Sequence, residues 1–285
     1  MNYFLTAEIA AAVLFIFGAR EAGRRGRNYF LEFLMIFVYG LILEELDMRF
    51  FKSYQYGSGF ALMLGRVPVS IALLWAVIVS GSMAISDASG IPESAKPFLD
   101  ALLAVWMDLS LDAIAIRAGF WSWVIPLDQG WFGVPAGNLY AWMWVAFFYS
   151  VFARSLRGLY RKDRRWIFAY PAVPLVCYLL LFAQLNLLGF AARFAGLVTP
   201  NQRLWLFAAQ FLIFFAVTAA NWKTRVPGAA KIPAVWAGSR ALIHLFFIGL
   251  FFAEGIYRTV PVLGMIAVAV AGIDFVFILS LRGSQ

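Results

Sequence analysis

Cysteine and histidine are almost missing from this chain. One of each, Cys177 and His244, occurs in 285 residues. A single cysteine excludes an internal disulfide and a thiolate metal cluster, and a single histidine argues against a histidine-rich iron site. Charge is scarce as well. Asp, Glu, Lys and Arg make up 13% of the residues, against roughly 25% in an ordinary soluble domain. Such a chain cannot cover its surface with polar groups in water. There is no Gly-rich phosphate loop, no dinucleotide fingerprint and no HExxH motif, so no cofactor and no metal is expected. No internal repeat is visible, which counts against an inverted-repeat transporter.

What is abundant is apolar surface, at 63% of residues, with 18% aromatic. The apolar runs are continuous and lack the alternation of barrel strands. Helices satisfy their own backbone in lipid. The expectation is an all-α, polytopic integral membrane helical bundle with eight or nine transmembrane helices, forming a single transmembrane domain over 1–285. The net charge is +8, but the basic residues sit in short loops between apolar runs. That pattern suits loops facing anionic lipid rather than nucleic acid.

The apolar runs place spans at 3–18, 28–46, 61–85, 97–116, 138–153, 166–190, 204–221, 241–256 and 260–281. The first is read as a retained helix, because it has no basic segment before it and an Arg cluster after it. Span three opens with Gly65-Arg66-Val67-Pro68, so its first turns are expected to be irregular. Pro171 and Pro174 predict a kink in span six. Three basic segments follow spans one, five and seven: Arg20 to Arg27, Arg154 to Arg165, and Lys223 to Arg240. Arg282 follows span nine. All of these follow odd-numbered spans, so one topology puts them on one side. By the positive-inside bias that side is cytoplasmic, with the N-terminus outside and the C-terminus inside a cytoplasmic (inner) membrane. A count of eight spans fits if one short segment fails to cross.

Against this background the stretch from Asp108 to Asn138 is unusual. Asp108 and Asp112 lie one helical turn apart on one face. A charge at membrane depth costs about 2.5–3.5 kcal/mol or more, which marks such residues as functional candidates. The following segment, 117–137, carries Trp121, Trp123 and Trp131 and few charges. It is expected to fold back as a re-entrant or interfacial cap. On the alternating topology, Glu44, Glu45 and Asp47 at the end of span two, the start of span three, and Asn138 at the start of span five all reach the same side. Glu8, Glu32, Glu254 and Asp274 are further acids inside spans, without a motif.

Tyr54-Gln55-Tyr56, then Leu64-Gly65-Arg66-Val67-Pro68 and Trp75, then Asp108 and Asp112, then Gly119-Phe120-Trp121 with Trp123, then Phe132 to Pro135, Asn138 and Trp142 form an ordered pattern. It resembles the carotenoid biosynthesis membrane proteins, a family that includes hydratases of acyclic carotenoid ends such as those of bisanhydrobacterioruberin and γ-carotene. The resemblance covers residues 44–144; the C-terminal helices, about 166–281, show no specific match. The chain departs from the family pattern at Glu44-Glu45-Leu46, where the family has a His after the acid. It also has Ala113 where the family has Pro, and lacks the Thr-Gly pair before Tyr54. It therefore reads as a divergent member. The resemblance implies a long apolar isoprenoid substrate, taken from the bilayer.

The residues fit that chemistry on their own terms. Hydration of a trisubstituted alkene needs a carboxylic acid that keeps its proton near neutral pH, a condition favoured by an apolar surrounding and a second carboxyl nearby. Asp108 and Asp112 offer this. Glu44, Glu45 or the second aspartate would orient the water. Tyr54, Tyr56, Trp75, Trp121, Trp123, Trp131 and Asn138 are the expected substrate-binding residues. Indole faces stabilise a cation by about 2 kcal/mol when desolvated. Other readings stand beside this one. The aspartates would pair with Arg66 or Arg117, the tryptophans would anchor at the interface, and Asn138 would be a helix N-cap. At the level of the whole protein the alternatives are a transporter or channel, and a non-catalytic lipid- or carotenoid-binding subunit.

Overall fold

The computed structural model describes residues 2–226 and 231–283, without the side chains of Arg282 and Gly283. The expectation placed on Arg282 therefore lies outside the described residues. The described chain is an all-α bundle. Its helices are α1 (Tyr3–Arg25), α2 (Arg27–Phe50), α3 (Val69–Ser89), α4 (Lys96–Arg117), α5 (Ala136–Lys162), α6 (Val173–Phe194), α7 (Pro200–Trp222), α8 (Ala234–Ala253) and α9 (Pro261–Gly283). Four short strands add to it: β1 (Tyr54–Tyr56), β2 (Met63–Leu64), β3 (Val67–Pro68) and β4 (Trp121–Trp123).

Among the described residues, six segments are long and apolar enough to cross a membrane: α1, α3, α6 with its preceding turn, α7, α8 and α9. The other three helices are also of spanning length, at 24, 22 and 27 residues. They fall short on composition because they carry the acids and arginines that the bundle buries. The protein is thus a membrane protein in which apolar α3 and acid-bearing α4 are both largely buried. Large apolar side chains such as Leu187, Phe190, Leu212 and Ile273 face outward, where lipid replaces water as the solvent.

α4 is the hub, packed against α3, α5, α7, α8 and α9. Ala101, Ala104, Ala113 and Ala115 are fully buried along it, and such small residues let neighbouring helices approach closely. The α2–α3 contact depends on glycine. A Cβ at Gly40 would lie 3.2 Å from both Ala72 Cα and Trp75 Cβ.

Several boundaries differ from the sequence expectation. Residues 61–68 form a β2–β3 hairpin rather than the first turns of span three. Span six is preceded by a 3-10 turn over Arg164–Ala172 that contains Pro171, and α6 begins with Pro174 in its first turn. Arg154 and Arg157 are not in a loop. They lie within α5, buried in an ion network with Glu32, Asp87 and Asp100. Arg240 is likewise inside α8, bidentate to Asp274 of α9 at 2.7 and 2.9 Å. Helices continue through these arginines because each has a carboxylate partner on another helix, which repetition along one helix does not reveal.

The network gathers one end of the bundle. Arg25 of α1, Asp87 of α3, Lys96 of α4 and Arg154 of α5 meet there, and Val226 after α7 bonds Gly90. Because the helices alternate, the opposite end holds the C-terminal halves of α2, α4 and α6 and the N-terminal turns of α3, α5 and α7.

Candidate functional site

At that opposite end, two ribbons separated widely in sequence close over the helices. β1 and β4 pair antiparallel, with Tyr54 opposite Trp123, Gln55 opposite Ser122 and Tyr56 opposite Trp121. Strand geometry puts alternate residues on opposite faces. Gln55 and Ser122 are therefore exposed, while the two tyrosines and two tryptophans turn inward. The ribbon continues through Gly57, whose N–H donates to Phe120 O at 2.8 Å. A Cβ at Gly57 would fall 2.2 Å from Gly119 O, so only glycine permits this approach. The Trp-rich segment is thus a cap over the helix ends and holds no helix between Gly119 and Pro135.

Below the cap lies a cavity of about 390 Å³. Glu44 and Asp47 of α2, Ser70, Leu74, Trp75 and Ile78 of α3, Asp108 and Asp112 of α4, and Asn138 and Trp142 of α5 line it together with the four ribbon aromatics. Its far side is mostly apolar, with Leu185, Leu188, Gly189 and Ala192 of α6 and Pro200 of α7, and it carries a cation, Arg203 of α7, whose Nε donates to Leu197 O at 3.3 Å.

The inward heads of the aromatics do specific work. Tyr54 Oη and Tyr56 Oη donate to Glu44 Oε2 at 2.5 and 2.6 Å, and Trp75 Nε1 donates to Glu44 Oε1 at 2.7 Å. Burial and the Glu44 carboxylate hold both phenols well above the ordinary tyrosine range, so they remain donors. Trp121 Nε1 donates to Asp112 Oδ1, which also accepts from Trp123 Nε1 at 3.2 Å. Asn138 Nδ2 donates to Asp108 Oδ2 at 2.9 Å and Asp112 Oδ2 at 2.5 Å. Asp108 is 0% exposed, and its Oδ1 has no hydrogen-bond partner among the described residues.

The cation partners that the sequence offered for the aspartates are elsewhere. Arg117 donates to the carbonyls of Ala113, Phe132 and Leu127. The Arg66 N–H donates to Glu45. Among the described residues no Lys, Arg or His forms a salt bridge with Glu44, Asp108 or Asp112. Asn138 does not cap α5 either; Pro135 stands at the N-cap, and the Asn138 side chain reaches the aspartates.

Of the residues singled out from the sequence, Glu44, Tyr54, Tyr56, Trp75, Asp108, Asp112, Trp121, Trp123 and Asn138 come together on one cavity. Glu45 and Trp131 do not. Glu45 turns outward to Arg49 and the Arg66 N–H, and Trp131 donates to Leu109 O from the loop's own turn. Adjacent residues on a helix point about 100° apart, and the rotation of α2 turns Glu44 to the cavity and Glu45 away from it. Ser70 and Phe247 line it without having been singled out, and so do Asp47 and Phe120, which the sequence placed near the site without a role. For Ser70 the available cue was position: it falls on the helix face that repeats through Leu74 and Ile78. His244 lies on α8 at 3.2 Å from Asp274 Oδ2. Among the described residues no group of three or more His, Cys, Asp or Glu side chains is placed to hold a metal ion.

No curated protein and no solved structure matches the chain. The family profile described as "Carotenoid biosynthesis protein" matches residues 2–200, a wider stretch than the 44–144 that carries the motifs. The match takes in α1 to α6 and every carboxylate on the cavity. With more than half of its length matched in this way, the chain belongs to the carotenoid biosynthesis protein family and has its role in carotenoid biosynthesis, on a carotenoid or isoprenoid substrate.

Proposed function

We propose that the protein adds water across a C=C bond at an acyclic carotenoid end group by acid catalysis. The observation that carries this reading is the Asp108–Asp112 pair. Two buried carboxyl groups share one amide, have no cation beside them, and face an aromatic cavity. Two carboxyl groups so placed are best accommodated with one proton between them.

Asp108 is the acid. Its Oδ1 lacks a partner, whereas Asp112 accepts from two indoles and an amide. Its proton goes to the less substituted alkene carbon, the π pair forms the new C–H bond, and a tertiary cation is left. Ring faces of Trp75, Trp121, Trp123 and Trp142 and the Glu44 carboxylate stabilise that cation. Water adds to it, and the proton released returns to the aspartate pair. The tyrosines act on Glu44 and hold it in place.

A long polyene has negligible concentration in water, so it arrives from the bilayer. The apolar rim at Leu185, Leu188, Gly189 and Ala192 supports access on the α6 side. With the basic end cytoplasmic, the site lies at the outer face of a cytoplasmic membrane, the N-terminus outside and the C-terminus inside. A channel would need a path through both ends. The basic end instead holds the ion network and a void of about 20 Å³.

Expression in bacteria that make lycopene or γ-carotene tests the reading. Pigment from cells with the native protein gains the mass of one water, and cells with Asp108→Asn keep the unmodified pigment. An unchanged pigment mass beside well-folded native protein removes the hydratase reading.

A further inference from the structure

Among the described residues, two that line the cavity have a buried side-chain oxygen without a hydrogen-bond partner: Asp108 with Oδ1 and Ser70 with Oγ. Proton donation accounts for the first. The second belongs to no step described so far. Ser70 is 4% exposed and sits in the first turn of α3, just after Pro68. It shares the cavity-facing side of α3 with Ile71, Leu74, Trp75 and Ile78. On that face the only other polar group is the Trp75 indole, already committed to Glu44. A buried hydroxyl left unpaired is costly and rare, and one that persists at a cavity wall calls for a guest.

We propose that Ser70 is the residue that holds the attacking water and, after addition, the new tertiary hydroxyl of the product. This assignment rests on the hydratase reading and adds a water-binding residue to it. A hydroxyl donates and accepts at once. Ser70 Oγ therefore orients a water lone pair toward the cation while the rest of the surrounding α3 wall stays apolar. The step balances: Asp108 gives its proton to carbon, water forms the C–O bond, and the water's surplus proton returns to the aspartate pair. Ser70 keeps its own proton throughout. It acts after the cation has formed, so it governs how the cation partitions. A cation that is not captured loses a proton and reverts to alkene.

That partition is measurable in D2O. Purified full-length protein is incubated with lycopene, and two quantities are read by mass: tertiary alcohol formed, and deuterium in recovered alkene. In Ser70→Ala the ratio of exchange to hydration rises by roughly tenfold, the loss expected for one hydrogen bond to the reacting water. Ser70→Thr, which keeps the hydroxyl, stays near the native ratio. Asp108→Asn loses both readouts. A merely structural role for Ser70 lowers exchange and hydration together and leaves the ratio unchanged; that result overturns the proposal, as does native hydration by Ser70→Ala. If the native protein neither hydrates nor exchanges, the hydratase reading falls and the Ser70 role falls with it.

Discussion

Asp108 and Asp112 are joined through a single donor, the side-chain amide of Asn138, which lies 2.9 Å from one carboxylate and 2.5 Å from the other. The two aspartates differ in everything else. Asp112 also receives Trp121 and Trp123, whereas the remaining oxygen of Asp108 receives nothing.

That asymmetry predicts different outcomes for the same substitution. Asp108→Asn removes the proton donor and lowers turnover by about 10²–10⁴, the usual contribution of a general acid, with little loss of stability. Asp112→Asn sets an amide against the Asn138 amide and lowers the melting temperature as well. Thermal unfolding in detergent beside turnover separates the two; equal stability losses would contradict the assignment.

Asn138→Ala leaves both carboxylates without their shared donor. It is expected to destabilise the fold by about 1–3 kcal/mol, the cost of unpaired buried acceptors, and to slow the reaction. Asn138→Asp, which adds a third carboxyl and removes the amide, is expected to be worse than Asn138→Ala. The reverse order would argue that the amide does not bridge the pair.

The Glu44 clamp predicts coupling across the cap. Tyr54→Phe and Tyr56→Phe each remove one donor to a charged group, worth about 1.5–3 kcal/mol. In a Glu44→Leu background the same changes cost much less, because the acceptor is gone. A double-mutant cycle measures this directly, and additive losses would show that the tyrosines serve some other end.

Gly189 tests the proposed access side. A Cβ there meets nothing nearer than Arg193 Nη1 at 3.8 Å, so a larger side chain enters the cavity rather than the helix packing. Gly189→Leu is expected to keep native stability and to raise KM for a full-length carotenoid. An unchanged KM would move the access route elsewhere.

Arg240 and Asp274 make a structural prediction away from the cavity. Arg240 also reaches Leu103 O at 2.9 Å and Ser82 at 3.3 Å, tying α8 and α9 to α3 and α4. Arg240→Ala leaves buried Asp274 with His244 in place of a guanidinium and costs about 3–5 kcal/mol, whereas the double change to leucine recovers part of it. Unfolding by denaturant or heat reads both.

The sequence carried the helical class, the order of the helices and the end of the bundle to which the motif residues run, because spans of alternating direction fix which ends meet. Tyr54-Gln55-Tyr56 and Trp121-Ser122-Trp123 stood out as motifs, but that each is a strand and that the two pair was not read from them. The buried arginines were not legible. Arg154, Arg157 and Arg240 look like loop charges until Glu32, Asp87 and Asp274 arrive from other helices. The choice between Glu44 and Glu45 was equally hidden, since it depends on the rotation of α2 against α3, set in part by Gly40.

Incorporation of oxygen from labelled water tests the central claim most directly. Purified native protein is incubated with an acyclic carotenoid in oxygen-18 water, and the product is analysed by mass. The account predicts one oxygen-18 atom and one added water per modified end, abolished in Asp108→Asn. A modified product that carries no label, or full labelling by Asp108→Asn, would contradict it.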